Sequence, residues 1–125
     1  MTRKIKQGEG KRMGLPGRAA LEMVSGEIDS KVTFRVVEIP VQKPGDTLRG
    51  PHLHHGYEEC IYVLKGTGLT LYEGGGELEV KAGDVILVPP EEKHLTRNTG
   101  SEPLVLLCFF PTPDIAPTTE NFPSF

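Results

Sequence analysis

The sequence has few cysteines and no framework of paired ones. Its two cysteines, Cys60 and Cys108, both lie in apolar stretches of a 125-residue chain. Two cysteines are too few for a disulfide scaffold. We therefore expect two buried free thiols in a reducing cytosol rather than a cross-linked secreted protein.

Long apolar runs are also missing. The longest, Leu104–Phe110, has seven residues, whereas a membrane-spanning helix needs about 20. The basic start, MTRKIKQGEGKRM, is not followed by the apolar segment of a secretory signal. These absences predict a cytoplasmic protein with no membrane partner.

The positive charge is concentrated at the start of the chain. Residues 1–18 hold six basic side chains and one acidic one, whereas the remainder holds eight basic and sixteen acidic ones. A basic arm can bind nucleic acid. Because the rest of the chain is acidic, we interpret residues 1–17 as a flexible, solvated leader and expect no nucleic-acid partner.

The remaining sequence is typical of short strands joined by tight turns. It contains 15 glycines and 11 prolines, and no convincing amphipathic helix or internal repeat is visible. Apolar or alternating segments recur about every ten residues, which favours an all-β sandwich or barrel over residues 18–111. A proline-rich C-terminal tail, residues 112–125, follows. The predicted strands cover residues 18–24, 31–39, 60–64, 69–72, 78–80, 85–88, 94–96 and 104–110.

The segment Leu104–Phe110 (LVLLCFF) does not alternate between apolar and polar residues. Both faces of this strand should therefore be buried. One face can fill a barrel, whereas the other needs a cover, such as the N-terminal strand or a second subunit. We therefore expect a homodimer.

Three of the four histidines lie within four residues of one another. On an extended strand, His52 and His54 point to one face and His55 to the other. Glu59 shares a face of the following strand with two apolar residues, and a carboxylate there needs a cation or hydrogen bonds. The fourth histidine, His94, follows the predicted strand 85–88. Three imidazoles and one carboxylate suit a transition metal better than calcium or magnesium.

The spacing of these residues resembles the two motifs of the cupin superfamily, in particular its small single-domain members with the conserved cupin 2 barrel. The first motif, G(x)5HxH(x)3–4E(x)6G, is matched from His52 through Glu59 to Gly66, with Asp46 in place of the opening glycine. The second motif, G(x)5PxG(x)2H(x)3N, is matched at Gly83, Pro89, His94 and Asn98, with Glu91 in place of its second glycine.

The resemblance implies a double-stranded β-helix (jelly-roll) barrel with a metal ion at its mouth. His52, His54, Glu59 and His94 would be the metal ligands, and the spacing to Gly66 favours Glu59 over Glu58. His55 would lie behind the ligands or on the surface. The cofactor would be one divalent ion of iron, manganese, zinc, nickel, cobalt or copper.

Cupins include oxygenases, isomerases, lyases and binding proteins, so the resemblance does not choose a reaction. We expect a metal-dependent enzyme that acts on a small oxygen-bearing metabolite, by dioxygenase or by isomerase or lyase chemistry. The alternative is a non-catalytic cupin that binds or senses a metabolite.

No catalytic residue beyond the ligands is assigned. Five other side chains deserve consideration. Glu38 would face inward in one strand register. Tyr57 and Tyr72 are candidates for substrate contact, and Arg35 and Arg97 could hold an anionic substrate.

Overall fold

The computed structural model describes residues 1–125 and consists almost entirely of β-strands. The strands are β1 (Lys11–Leu15), β2 (Arg18–Val24), β3 (Thr33–Ile39), β4 (His52–His54), β5 (Glu59–Lys65), β6 (Thr67–Tyr72), β7 (Gly76–Lys81), β8 (Val85–Val88), β9 (His94–Asn98), β10 (Leu104–Phe110) and β11 (Thr119–Asn121). Three single 3-10 turns lie at Gln7–Glu9, Gly26–Ile28 and Ala116–Thr118. No helical segment has the length and apolarity needed to cross a bilayer.

The strands form two antiparallel sheets. The larger sheet has the order β1-β2-β3-β10-β5-β8, and the smaller has the order β11-β4-β9-β6-β7. From β3 to β10 the chain passes repeatedly from one sheet to the other, which is the winding of a jelly roll. The predicted all-β class and double-stranded β-helix barrel are confirmed.

Alternation along each strand of the larger sheet sends apolar side chains into the barrel. On β5, Glu59, Ile61 and Val63 are buried, whereas Cys60 and Tyr62 are exposed. The core therefore lies between the sheets and includes the fully buried side chains of Val63 and Leu104. The same alternation corrects the expectation of two buried thiols, because Cys60 points outward and only Cys108 is buried.

Strand β10 is buried on its inner face and only partly covered on its outer face. Leu106 and Cys108 are buried, whereas outward-facing Phe109 remains 49% exposed. The N-terminal strand does not cover this outer face, because β1 joins the edge of the same sheet through β2. Within one chain, the prediction of two buried faces therefore holds for the inner face alone.

Ordered strands extend beyond residues 18–111 at both ends. Lys11–Leu15, predicted as part of a flexible leader, form β1 and pair with β2 across a tight turn at Pro16-Gly17. Gly17 adopts a φ of 68°, which this turn requires and glycine supplies without strain. Near the other end, Thr119–Asn121 form β11 and pair with β4, so the proline-rich tail is not wholly irregular.

Candidate metal centre

The four predicted ligands come together between the two sheets. His52 and His54 lie on β4, and His94 lies on the neighbouring strand β9, directly opposite His52. Glu59 is the first residue of β5 in the other sheet. Each of the four residues offers one donor atom, and these four atoms all lie within 4.8 Å of one another. The cluster thus joins elements that are up to 42 positions apart in the chain.

Strand alternation decides which histidines enter the cluster. His54 is buried, whereas His55 points outward. The His55 ring contacts two carboxylates, with Nδ1 3.2 Å from Glu91 Oε1 and Nε2 2.8 Å from Glu120 Oε2. His55 therefore lies outside the cluster, as the sequence indicated, and Glu58 is exposed.

Burial and neighbouring groups set the charge of the cluster. Burial by itself would raise the pKa of the Glu59 carboxyl, but His54 and His94, which face it, lower this pKa to about 2. Burial, together with the charge of His94, lowers the pKa of His52 to about 2. Near neutral pH the site therefore presents a carboxylate and a neutral His52 imidazole, and both forms can ligate a metal.

The ring nitrogens of His94 have defined roles. Its Nδ1 lies 3.0 Å from the carbonyl oxygen of Glu92. Because a carbonyl only accepts, this Nδ1 carries a proton, and in a neutral ring Nε2 then carries a lone pair. That Nε2 lies 3.1 Å from Glu59 Oε1.

A second imidazole nitrogen faces the same carboxylate oxygen. His54 Nε2 lies 3.2 Å from Glu59 Oε1 and is a buried atom with no hydrogen-bond partner. Lone pairs that converge in a buried space are unfavourable unless a proton or a metal cation lies among them. The residues therefore fit a divalent transition metal held by three imidazoles and one carboxylate.

A cavity of about 280 Å³ adjoins the four residues. Its walls come from the larger sheet, the β1–β2 hairpin, the loop before β4 and the C-terminal tail. This volume suits a small metabolite and not a polymer. The apolar wall includes Leu15, Val37, Ile39, Ile61, Leu106, Phe110 and Ile115.

Three arginines also line this cavity, and two of them have no carboxylate partner. Arg35 is paired with Glu22, with Nη2 2.7 Å from Oε2. Arg18 instead donates to the carbonyl oxygen of Pro16 at 2.9 Å, and Arg49 donates to that of Thr96. Burial lowers the pKa of Arg18. Burial and the nearby charges of Arg18 and Arg97 lower the pKa of Arg49 to about 10.

Sequence reasoning missed both of these arginines. Arg49 lies three residues before His52, and this nearness to the motif was its only signal. Arg18 gave no signal, because its place beside the cavity depends on the pairing of β2 with β3.

The other candidates from the sequence take different positions. Arg35 lines the cavity, but Glu22 neutralises it. Glu38 is exposed, because it lies on the outer face of β3. Tyr72 and Arg97 line two separate, smaller cavities. The ring of Tyr57 packs 5.9 Å from that of His54, between centroids, and its hydroxyl lies 2.8 Å from that of Thr118.

The buried thiol of Cys108 also lines the cavity. Burial raises the pKa of Cys108 well above its ordinary value, and the charge of Glu59 raises it further. Without a metal Cys108 is therefore a neutral thiol, and it is not among the residues whose donor atoms cluster.

A jelly-roll barrel with three imidazoles and one carboxylate around a single point places the chain among the β-barrel proteins that could hold a metal ion. The family model described as the cupin domain matches residues 40–110. The chain therefore belongs to the cupin family.

The similar proteins have names that describe different activities. The chain is 38% identical over 64 residues to an oxalate-binding protein of Thermotoga maritima, covering 51% of each protein. It is 44% identical over 57 residues to a glucose-6-phosphate isomerase of Thermococcus gammatolerans, covering 42% of this chain and 30% of the isomerase. The chain thus spans about half or less of these relatives.

Among solved structures, the Mn(II)-containing oxalate decarboxylase of Bacillus subtilis superimposes with a TM-score of 0.72 at 23% identity. The match covers 93% of this chain and 31% of the decarboxylase. A likeness at this level of identity establishes the shared fold.

Proposed function

We propose that the protein is a metal-dependent cupin enzyme acting on a small oxygen-bearing metabolite that carries a negative charge. One observation carries the proposal: the His/Glu cluster and the unpaired guanidinium groups of Arg18 and Arg49 line the same cavity. The ion would be one of iron, manganese, zinc, nickel, cobalt or copper, held by His52, His54, Glu59 and His94.

The charge balance of the cavity favours an anionic substrate. Two arginines in a partly desolvated space repel each other, and a bound anion would relieve this repulsion. A planar guanidinium also matches the geometry of a carboxylate or phosphate group. Oxalate and glucose 6-phosphate, which appear in the names of two relatives, are both small anions rich in oxygen.

The chemistry is divided between the ion and the chain. A bound divalent ion supplies Lewis acidity, which polarises a carbonyl or carboxylate oxygen. Arg18 and Arg49 would hold the anionic group in one orientation, and Ile61, Leu106 and Phe110 would exclude water from it. Isomerase or lyase chemistry is the primary assignment and dioxygenase chemistry the secondary one, because the relatives include isomerases.

A non-catalytic metabolite-binding cupin is the alternative, and one observation favours it. Apart from the four ligands, the arginines and the neutral thiol of Cys108, no ionisable side chain lines the cavity. The chain itself therefore offers no separate general base. The name of the oxalate-binding relative is also consistent with binding without turnover.

The first experiment measures metal content. We expect about one equivalent of a transition metal per chain by elemental analysis, and loss of that metal in His94→Ala. Protein that stays metal-free after reconstitution with each candidate ion would contradict the proposal.

The second experiment separates the enzyme from the binder. Calorimetry should detect one site for oxalate or glucose 6-phosphate on the metal-loaded protein and none for neutral oxamide. Consumption of the bound anion, measured with and without oxygen, identifies the enzyme and its class. Tight binding without consumption would support the binding protein instead.

A further inference from the structure

The imidazole-bearing strand β4 is paired, at the edge of its sheet, with a strand outside the region that the cupin family model matches. Strand β11 pairs with β4 in antiparallel register, with Thr119 opposite His54 and Asn121 opposite His52. The family match ends at residue 110. The strand beside His52 and His54 is therefore contributed by the C-terminal tail of this chain.

Backbone hydrogen bonds hold the chain on both sides of strand β11. His55 N donates to Thr118 O at 2.8 Å, and Phe122 N donates to Pro51 O at 2.9 Å. A Cβ atom at Gly50 would lie 1.9 Å from Phe122 O, so the tail crosses the loop before β4 where only glycine allows the approach. The position of Thr119 is thus defined on both sides.

The contacts of the Thr119 hydroxyl group favour one arrangement of its proton. It lies 2.6 Å from the carbonyl oxygen of Ile115, which only accepts, so the hydroxyl proton points there. The same oxygen lies 3.0 Å from His54 Nδ1. Having donated its one proton, the oxygen must accept from Nδ1–H. In a neutral ring this leaves a lone pair on His54 Nε2, the buried atom that faces Glu59.

We propose that Thr119 is a positioning residue for the metal centre. Its hydroxyl holds His54 in the tautomer and ring orientation that present Nε2 to the ion, and strand β11 is thereby part of the site. This inference rests on the metal centre of the proposed function. Removing a partner of this kind by mutation typically lowers the metal affinity about 10–100-fold.

The test compares Thr119→Val, which keeps the shape but removes the hydroxyl, with Thr119→Ser, which keeps the hydroxyl. Cobalt(II) affinity is measured by titration, with the absorption spectrum of the bound ion as a second readout. We expect Thr119→Val to bind about 10–100-fold more weakly with an altered spectrum, and Thr119→Ser to behave as the unchanged chain. Equal affinity and spectrum in all three proteins would overturn the proposal.

Glu120→Gln is the matched control. Glu120 lies on the same strand but contacts His55 at the surface. A loss of affinity in this control equal to that in Thr119→Val would show that docking of the strand, and not the Thr119 hydroxyl, is what matters, and would overturn the proposal.

A metal-free readout separates this inference from the metal centre itself. In the unloaded protein, ¹⁵N NMR of the His54 ring should show a proton on Nδ1, and Thr119→Val should lose this preference. If the unchanged chain binds no cobalt but its His54 tautomer still differs from that of Thr119→Val, the proposed metal centre is contradicted while the role of Thr119 in orienting His54 remains. An unaltered tautomer in Thr119→Val overturns the positioning role.

Discussion

At the scale of single residues, the cavity holds more positive charge than its own acidic groups neutralise. Glu22 neutralises Arg35, and Glu59 is engaged by His54 and His94. Arg18 and Arg49 are left with backbone carbonyl groups as their hydrogen-bond acceptors. An anion that enters the cavity would accept charge-assisted hydrogen bonds from these two guanidinium groups, and such bonds are stronger than hydrogen bonds to water.

Arg49→Met should therefore weaken anion binding without removing the metal ligands. A hydrogen bond to a charged group contributes about 1.5–3 kcal/mol, which corresponds to a loss of roughly 10–100-fold in affinity. Calorimetric titration of oxalate into the metal-loaded protein measures this change.

Arg12→Met is the control for a general charge effect, because Arg12 is exposed on β1 and does not line the cavity. The anion affinity of this control should stay within about twofold of the unchanged chain, since surface charges are screened by salt. Equal losses in Arg12→Met and Arg49→Met would indicate long-range attraction and contradict a local anion site.

At the scale of elements, the turn between β8 and β9 carries a non-glycine residue where the second cupin motif has glycine. Glu91 adopts a φ of 64°, the left-handed conformation that glycine takes without strain. Its carboxylate accepts from Gly56 N at 2.9 Å and contacts His55. These bonds link the turn to the end of β4 and offset the backbone strain.

Replacing Glu91 separates the two contributions. Glu91→Ala and Glu91→Gly both remove the carboxylate, but only the alanine variant keeps a Cβ atom at positive φ. We expect Glu91→Ala to be the less stable of the two by about 1 kcal/mol. Urea unfolding of the metal-free proteins measures the difference. An alanine variant as stable as the glycine variant would show that the turn changes conformation once the carboxylate is lost.

At the scale of the whole molecule, the outer face of the larger sheet is uncharged over two rows of side chains that cross β3, β10, β5 and β8. The pairing of these strands sets the rows. Val85 and Leu87 are 63% and 60% exposed. A patch of this kind is unusual on the surface of a monomer. The rows are Phe34, Phe109, Cys60 and Leu87, and Val36, Leu107, Tyr62 and Val85.

We propose that a second copy of the chain covers this face, giving the homodimer expected from the sequence. An uncharged surface can face its own copy across a two-fold axis without repulsion between like charges. Leu87→Lys should therefore convert a particle of twice the chain mass into a monomer, as measured by light scattering after gel filtration.

Leu78→Lys is the matched control, because Leu78 is an exposed leucine on β7 of the other sheet. It should leave the mass unchanged. Cys60 provides a second readout, because a thiol reagent should modify it faster in Leu87→Lys than in the dimer. Buried Cys108 should stay unmodified in both. A monomeric unchanged chain would contradict the proposal.

Much of the barrel and the four members of the His/Glu cluster were predictable, because they follow from local alternation and from the spacing of the cupin-like motifs. The predicted strand 60–64 lies within β5, and the predicted segment 104–110 coincides with β10. Parity along β5 turned Glu59 inward, whereas Glu58 precedes the strand and is exposed. The order of the cupin motifs connected these residues to His94, although β9 lies in the opposite sheet.

The cavity walls were not predictable in the same way, because segments distant in the sequence meet there. Arg18 reaches the cavity because β2 pairs with β3, and Thr119 reaches His54 because β11 pairs with β4. Residues 18–24 were predicted as a strand without its partners, whereas the β11 segment has no apolar repeat long enough to indicate a strand.

The amino-acid sequence by itself determined much of the strand pattern, since side-chain direction on a strand follows from residue parity, and its resemblance to the cupin motifs implied the winding of the barrel and the four donor side chains. The tertiary structure alone decided which charges remain unpaired around those donors and which hydroxyl group orients them. Those features depend on long-range pairing, which brings together groups that no local pattern connects.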